Sequence, residues 1–425
     1  MIAEHERRHG IFYALVLLFK YNGQILLEKL KIVSWSWVII NFLAVFHLMV
    51  LHAKKTYDEF KARNLESICD TAMATIIYGF STFTFVYWIS RQKALNEILE
   101  FIDRNQRERS LEGMTFVESV KANTTQRRLT VVWTVMCMAG VMSWGLVPLL
   151  SGKRVLPLNC WYPIETTTPV VYETLYFLQL FGQYGVGLAF GNGSGLFMAL
   201  VIVLCGQLDV LFASLKNVYY QTDRMANKPL PEHECASDVD EYAYSEESIV
   251  TNVKPKFSVI DNTNYKIFLK RNFQKCIQHH QFILEAAKKF ENLYFPYCWV
   301  KSMQVTIQLC FLAFLMVTSE KSVFRGINLL NYSSLTLLEL LMFTYFGQTL
   351  KEQSVKVNMA FWRSNWYEHL DLIQKDILIF LINAKRPIVM SAGKFYPMDL
   401  SRFISVVTQA ISFLTLLRKL DLKSS

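Results

Sequence analysis

The apolar segment near the C-terminus carries polar side chains at a spacing that could line a water-filled path through a membrane. Hydroxyl, amide and ammonium groups recur there about every 3.6 residues, which places them on one face of a helix. A polar stripe on a membrane helix faces protein or water rather than lipid. It therefore predicts either interhelical hydrogen bonds or the wall of a pore. The stripe consists of Ser405, Thr408, Gln409, Ser412, Thr415 and Lys419.

Motifs for nucleophilic and phosphate chemistry are absent from the sequence, which contains neither a Walker loop nor a Gly-x-Ser-x-Gly pattern. His279 and His280 are adjacent, so they do not share a helix face and are not expected to bind a metal together. Cys69 and Cys160 could pair outside the membrane, but buried free thiols are the favoured interpretation. We expect no enzymatic activity, no metal and no cofactor.

The composition indicates a membrane protein. Of the 425 residues, 52% are hydrophobic and 19% are charged, whereas soluble domains carry about a quarter charged residues. A net charge of +9 would suggest a nucleic-acid partner for a soluble protein, but in a membrane protein excess Lys and Arg report topology. The composition therefore argues against intrinsic disorder, a disulfide scaffold and nucleic-acid binding.

Seven apolar segments are long enough to cross a bilayer, which requires about 20 residues each. The fourth has 35 residues without charge and is rich in glycine. We expect it to form one long helix that extends beyond the membrane, with close helix packing or a kink at its glycines. The predicted spans are 32–51, 71–90, 129–151, 174–208, 295–319, 326–350 and 400–417.

The orientation follows from the distribution of Lys and Arg between the predicted loops. A cytoplasmic N-terminus places 31 of them inside and 11 outside, and the bias remains 20 to 11 without the long inner loop. The C-terminus is then extracellular. The glycan acceptor pattern Asn123-Thr124-Thr125 is then cytoplasmic and should carry no glycan.

The loops and spans suggest five regions. An acidic stretch at 229–248 is interpreted as a solvated tether, and helical spacing predicts helices over 264–292 and 367–383, the second ending before Pro387. The regions are 1–212 with the first four spans and the ligand-binding part, 213–294 as a cytoplasmic loop, 295–350 with spans five and six, 351–396 as a cytoplasmic anchor, and 397–425 as the pore-lining seventh helix and tail.

Three charged residues in or beside the spans have open interpretations. Asp70 and Lys301 are interpreted as lying near the membrane interface, where a lysine can extend its ammonium to water. Glu339 lies deeper, in the sixth span, and is either a structural partner of another side chain or an assembly contact.

Three blocks of the sequence resemble the insect odorant receptor family, and together they are spread over most of the chain. They match the family's C-terminal segment, its second outer loop and the start of its fifth helix. The first block contains Phe346-Gly347-Gln348, Ser354, Val357, Ala360, Trp366-Tyr367, Lys375, Pro387, Ala392-Gly393-x-Phe395, Leu400, Phe403, Val406 and Ser412; the second contains Leu158-Asn159-Cys160-Trp161-Tyr162-Pro163, Pro169, Tyr172-Glu173, Tyr176 and Gln179; the third is Cys276-Ile277-x-x-His280-Gln281-x-Ile283-Leu284.

The resemblance implies an all-α membrane protein with seven transmembrane helices, a subunit of a tetrameric, odorant-gated, nonselective cation channel. It implies a plasma-membrane protein of olfactory sensory neurons whose partners are odorant receptor co-receptor subunits, a small volatile odorant, membrane lipid and permeating cations. Because the chain is shorter than the co-receptor and differs from it at the C-terminus, it resembles an odorant-specific tuning subunit. The anchor of the assembly would be built from the inner parts of helices four to seven.

The resemblance also implies roles for individual residues. The seventh helix would line the pore with Ser405, Gln409 and Ser412, and the gate would lie at Leu416 and Leu420 with Lys419 beside it. Four such lysines would repel cations, which favours a heteromer in which they are diluted. A mainly apolar odorant pocket would lie among helices two, three, four and six, formed by Met73, Ile77, Tyr78, Met138, Val141, Met142, Trp144, Tyr184, Phe190 and Tyr332.

Other classes of seven-helix or multi-span protein fit less well. A gustatory receptor channel would share the topology, but the Thr-Tyr and Gln-Phe pattern of its last helix is missing here. A G-protein-coupled receptor would have the opposite orientation, and Asp-Arg-Tyr and Asn-Pro-x-x-Tyr are absent from the third and seventh spans. A secondary transporter would suggest an internal repeat, and none is visible.

Overall fold

The apolar segments fold as long helices in the computed structural model, which describes residues 10–26, 31–107, 119–150, 156–166, 168–227, 262–318, 323–364, 366 and 370–424. A short 3₁₀ turn, Gly10–Phe12, leads into the first helix, and a two-residue antiparallel hairpin of β1 (Ser391–Ala392) and β2 (Tyr396–Pro397) precedes the last. The helices are α1 (Tyr13–Tyr21), α2 (Lys31–Ala62), α3 (Leu65–Asn105), α4 (Ser119–Leu150), α5 (Pro169–Lys216), α6 (Val218–Asn227), α7 (Asn262–Thr318), α8 (Val323–Trp362), α9 (Leu370–Ala384) and α10 (Leu400–Ser424).

Each predicted span falls on one helix, in the order α2, α3, α4, α5, α7, α8 and α10. By length and composition, four helical segments of the described chain could cross a membrane: Ile32–Ala62, Leu65–Asn105, Pro169–Lys216 and Tyr265–Thr318. Leu400–Leu416 is a shorter apolar helix. The crossing of the membrane by α4, α8 and α10 therefore remains a prediction from the sequence.

Helix α5 is the centre of the molecule, and it packs against α1, α2, α3, α4, α7 and α8. It is one continuous helix of 48 residues, as predicted, and it begins with Pro169 in its first turn, where the missing N–H is not needed. Its glycines permit close approach. A Cβ added at Gly182 would lie 2.8 Å from the backbone oxygen of Ala44, so α2 and α5 could not pack as closely with a larger residue there.

Helix α7 is also continuous, so the predicted cytoplasmic helix and the fifth span form one element of 57 residues. Pro296 lies inside it, where its ring disturbs the preceding helical hydrogen bonds. Neighbouring groups serve the carbonyls of that turn, since the Tyr87 hydroxyl donates to the Leu293 oxygen and the Gly393 N–H donates to the Phe295 oxygen at 2.7 Å. These two bonds join α7 to α3 and to the β1–β2 hairpin beside the proline.

Helix α1 is an element that the sequence patterns did not predict. Phe12, Leu15, Val16 and Phe19 are buried against the bundle, and the Phe19 ring meets Trp88 of α3 edge-on at 5.3 Å between centroids. The apolar face of residues 12–19 is therefore a packed part of the core.

The segment from the C-terminal end of α8 to α10 folds back across α7. The Ile388 N–H donates to Ser354 Oγ at 2.9 Å, and Ser391 Oγ donates to Glu291 at 2.8 Å. Helix α9 ends at Ala384, shortly before Pro387 as predicted. The acidic stretch 229–248 lies outside the described residues.

Candidate functional site

A cavity of about 110 Å³ lies between α3, α4, α5, α7 and α8. The lining residues of α3, α4, α5 and α8 recur at helical spacing, so one face of each of these helices contributes to the wall, and α7 contributes Gln308. An apolar cavity of about 150 Å³ holds a benzene-sized molecule, so this cavity has the scale of a small volatile compound. Its walls consist of Met73, Ala74, Ile77, Tyr78, Trp133, Cys137, Gly140, Val141, Leu158, Gln183, Val186, Phe190, Gln308, Tyr332, Leu335, Thr336 and Glu339.

The structure brings six of the ten predicted pocket residues to the cavity wall. They come from α3, α4, α5 and α8, which are the second, third, fourth and sixth predicted spans. The six are Met73, Ile77, Tyr78, Val141, Phe190 and Tyr332.

The structure does not place three of the others in the wall. Met138 follows the cavity residue Cys137 by one position, which turns it about 100° around the helix, and it packs against Gly187 of α5. Met142 is half-buried elsewhere on α4, and Tyr184 stacks on Phe181 with 6.5 Å between ring centroids. The side chain of Trp144 lies outside the described residues. The family resemblance suggested the pocket residues by their depth along the helices, which does not determine which side chains face the cavity.

The polar residues of the wall were missed, although one of them carried a signal. Glu339 stood out as a charge inside a predicted span, and Thr336 lies three positions before it on the same face of α8. Gln308 donates to Thr336 Oγ1 at 2.9 Å, which ties α7 to α8 beside the cavity.

Glu339 is held in a buried ion pair. Its Oε2 lies 2.7 Å from Lys301 Nζ, and Ser194 Oγ donates to its Oε1 at 2.6 Å. The Lys301 ammonium also lies 4.4 Å from the ring centroid of Phe80 and 4.0 Å from that of Phe190, a cation–π arrangement that partly replaces its hydration. Lys301 is only 2% exposed, so its interpretation as an interfacial lysine is wrong, whereas Glu339 as a structural partner is confirmed.

Leu158 separates the cavity from a second hollow of about 720 Å³, because it lines both. Gln179 of α5 fixes this residue, accepting from the Leu158 N–H at 2.9 Å and donating to its carbonyl at 3.2 Å. The second hollow is bordered by Lys55, Asp58 and residues of the 156–166 loop.

Cys160 and Cys69 are both free thiols in the structure, so the preference for unpaired cysteines is confirmed for this pair. Cys160 Sγ lies 3.2 Å from His52 Nε2. Burial raises the pKa of the Cys160 thiol to about 12, which keeps it protonated and unreactive at neutral pH.

Helix α10 buries Val406 and Ala410 against α7 and α8. Gln409, Ser412 and Leu416 are exposed on this chain, and Ser405 is half-buried. The Ser412 hydroxyl donates to the Thr408 carbonyl at 2.9 Å within the helix. The polar stripe is therefore available to water or another chain, while the side chains of Lys419 and Leu420 lie outside the described residues.

A polar junction joins the residues just after α3 to α5 and α7, near the end of the fourth span that the sequence predicts to be cytoplasmic. Gln207 Oε1 accepts from the Arg107 N–H and from His279 Nε2, both at 2.9 Å. Burial, reinforced by the charge of Arg107, lowers the pKa of His279 to about 3. His280 points elsewhere and packs on Phe380 at 5.0 Å. The two histidines serve different contacts.

Residues 5–9 have the His-Glu-x-x-His pattern of zinc peptidases, and they lie outside the described residues. So short a pattern occurs by chance and needs a helix and a third ligand to signify a zinc site.

Comparison with known proteins gives consistent similarities. A protein-family model described as 7tm odorant receptor matches residues 64–411. Odorant receptor 85e of Drosophila melanogaster is 40% identical over 93% of this chain and 86% of that protein, and odorant receptor 83a of the same organism is 32% identical over 94% and 91%. The odorant receptor co-receptor of Aedes aegypti is 20% identical over 95% and 94%.

The fold is similar to a solved structure, that of the insect olfactory receptor OR5 from Machilis hrabei in complex with eugenol. The two chains superimpose with a TM-score of 0.75 over 99% of each, at 13% sequence identity.

Proposed function

The chain belongs to the odorant receptor family, and from this premise we propose that it binds a small volatile compound in the α3–α4–α5–α7–α8 cavity and thereby opens a cation channel. Its identity to Drosophila odorant receptors is higher than to the co-receptor, so it is a tuning receptor rather than the co-receptor. The family consists of receptors and not enzymes, which confirms that expectation.

The observation that carries the proposal is the position of the cavity next to α10. Gln308 of α7 lines the cavity, and the adjacent Leu309 packs with Val406 and Ala410 of α10. Glu339 of α8 lines the cavity in the same way, beside Leu340 in the α10 contact. A ligand that shifts α7 or α8 therefore acts on the proposed pore helix through directly bonded residues.

Gating then follows from differential binding. A ligand opens the channel only by binding the open arrangement of α7, α8 and α10 better than the closed one. The exposed polar face of α10, with Gln409 and Ser412, supports a position beside a water-filled pore, and Leu416 and Leu420 would close that pore by dewetting.

We place the chain in the plasma membrane of olfactory sensory neurons, in a tetramer with co-receptor subunits. The charge bias of 31 Lys and Arg inside to 11 outside supports a cytoplasmic N-terminus and an extracellular C-terminus. The heteromer is supported by Lys419, since four lysines around a cation path would raise the barrier to permeation.

A cavity-filling substitution tests the function. Leu335→Trp places an indole in the cavity, whereas the matched Leu338→Trp lies on the same helix at a position that is 44% exposed. With the co-receptor co-expressed, we expect odorant-evoked current from the unaltered chain and from Leu338→Trp, and its loss in Leu335→Trp at equal surface expression. A full odorant response of Leu335→Trp would contradict the cavity as the binding site.

A further inference from the structure

Most wall side chains that carry nitrogen or oxygen are already used or covered within the protein. The Trp133 Nε1–H is unpaired but has almost no accessible surface. Two wall residues, Gln183 and Tyr78, have neither a partner for their polar atoms among the described residues nor full cover. The wall side chains that have partners are Gln308, Tyr332, Thr336 and Glu339.

The amide of Gln183 on α5 is the first free group. The residue is only 6% exposed, yet its amide keeps accessible surface and makes no hydrogen bond to the described part of the chain. On the same face of α5, Val186 and Phe190 line the cavity, and a Cβ added at Gly187 would lie 2.8 Å from Met138 Sδ of α4. Because protein encloses Gln183 on both sides, the surface that its amide keeps belongs to the cavity.

The hydroxyl of Tyr78 on α3 is the second free group. The residue is 3% exposed, and its ring stacks on His52 with 5.1 Å between centroids, which fixes the direction of the hydroxyl. The hydroxyl is not fully covered, and Tyr78 lines the cavity but not the second hollow. Its remaining surface therefore also belongs to the cavity.

Both groups lie towards Leu158, which separates the cavity from the second hollow. Gln183 follows Gln179 by about one turn of α5, and Gln179 binds the backbone N–H and carbonyl of Leu158. Tyr78 belongs to the same apolar cluster as Leu158 and Val186. The free hydrogen-bonding capacity of these two side chains is therefore concentrated at this end of the cavity, the Leu158 end.

A carbonyl oxygen suits these two groups. The amide offers two N–H donors and the phenol one O–H donor, and a carbonyl oxygen has two lone pairs with which to accept them. A ketone or ester needs acceptor contacts only, whereas an alcohol must also place its own proton. A hydrocarbon would cover both groups and leave them unpaired, which is unfavourable in an apolar setting.

We propose that Gln183 and Tyr78 form a polar subsite that selects volatile ketones and esters over hydrocarbons of the same shape. The carbonyl oxygen lies at the Leu158 end, and the hydrocarbon part occupies the apolar remainder of the cavity. This inference rests on the proposed function, since it names the ligand class of the same cavity. Each hydrogen bond favours the carbonyl compound about twofold to tenfold in half-maximal concentration.

The test uses two pairs of compounds, acetophenone with α-methylstyrene and 2-heptanone with 2-methyl-1-heptene. In each pair a methylene group replaces the carbonyl oxygen, so the shape is kept and the acceptor is lost. Currents are recorded from the full chain co-expressed with the co-receptor. We expect the ketone of each pair to have the lower half-maximal concentration, by about tenfold.

Two variants remove the proposed donors. Gln183→Met keeps a flexible side chain of similar size without the amide, and Tyr78→Phe keeps the ring against His52 without the hydroxyl. Gln353→Met is the control, because it makes the same chemical change on α8 at an amide that binds Asp209 outside the cavity. We expect the preference for the ketone to fall several-fold in each of the first two variants and to persist in the control.

A chain that responds to neither ketone, or equally to ketone and alkene, would overturn the subsite. An unchanged preference in Gln183→Met, or an equal fall in Gln353→Met, would overturn it as well, and an unchanged preference in Tyr78→Phe would remove Tyr78 from it. Loss of all responses in Leu335→Trp together with equal potencies in the unaltered chain leaves the cavity as the odorant site and removes only the carbonyl preference. Unchanged responses in Leu335→Trp would instead contradict the proposed function.

Discussion

At the scale of single residues, the pair formed by Lys301 and Glu339 shows why a buried charge has to be read together with its partner. Removing one member leaves the other charge uncompensated, which costs about 3–5 kcal/mol, whereas replacing both with apolar residues is often neutral. Glu339 also lines the cavity, so the ion pair joins the stability of the bundle to the chemistry of the site.

We therefore expect Lys301→Met to lower the free energy of unfolding by about 3–5 kcal/mol, because the Glu339 carboxylate stays buried without its cation. Lys301→Met combined with Glu339→Leu should recover most of this loss. Thermal unfolding of the purified protein in detergent measures both. A Lys301→Met variant as stable as the unaltered protein would show that water reaches the Glu339 carboxylate.

His279 and His280 predict a pH dependence of stability. Burial lowers the pKa of His279 to about 3 and that of His280 to about 4, while the unfolded chain titrates near 6.5. Below about pH 6.5 the unfolded state binds protons that the folded state does not, so stability falls as pH is lowered, by about 1.4 kcal/mol per pH unit for each histidine.

The midpoint temperature of thermal unfolding should therefore decrease when the pH is lowered from about 7.5 to about 5.5. His279→Gln keeps a polar side chain beside Gln207 and should make this fall shallower. A midpoint that rises with acidification would have the wrong sign for these buried neutral histidines.

At the scale of elements, the contact between α8 and the start of α10 depends on Gly347. A Cβ added there would overlap the backbone oxygen of Met398, just before α10 begins at Leu400. Asp399 caps this helix start by accepting from the Arg402 N–H, and Lys351 of α8 lies 3.3 Å from its carboxylate. The proposed pore helix is thus anchored to α8 at its first turn.

Gly347→Ala should force α8 and α10 apart at this point, at a cost of about 1–3 kcal/mol. We expect reduced odorant-evoked current, measured with the co-receptor and normalised to surface expression. The control is Gly326→Ala on the same helix, where nothing lies within 4 Å of an added Cβ. Equal effects of the two substitutions would contradict the role of the close contact.

Several elements could be predicted because their signals are local. The charge-free run 174–208 lies within α5, and the segment 264–292, predicted to be helical from its spacing, forms the first half of α7. Helix α1 was missed because a short apolar run near a charged terminus does not show which surface will cover it. Phe12 and Phe19 are buried only because α3 and α5 lie against them.

At the scale of the whole molecule, the predicted topology can be tested with glycans. Asn123 should carry none, because its acceptor pattern is predicted to face the cytoplasm. Glu165→Asn completes an acceptor pattern with Thr166 and Thr167 in a predicted outer loop and should be modified. A gel-mobility shift upon deglycosylation shows which of the two sites carries a glycan. A glycan on Asn123 would contradict the predicted orientation.

The proposed assembly with co-receptor subunits predicts that Lys419 affects the conductance of the channel. Lys419→Gln should raise the single-channel cation conductance of the complex with the co-receptor, because it removes a positive charge near the proposed gate. Lys423→Gln, four residues beyond it, is the control and should have a smaller effect. The same conductance in both variants would place Lys419 away from the ion path, and robust odorant current from the chain alone would contradict the heteromer.

The sequence alone determined the order and approximate limits of the helices that contain the seven predicted spans, the charge bias and the family resemblance, because these depend on composition and periodicity along the chain. It also suggested Met73, Ile77, Tyr78, Val141, Phe190 and Tyr332, which the structure brings to one cavity. Only the tertiary structure decided that Lys301 meets Glu339 and that Trp133 of α4 lines the same cavity as Glu339 of α8. Those contacts join residues far apart in sequence, and they depend on how α4, α5, α7 and α8 are rotated against one another, which periodicity does not specify.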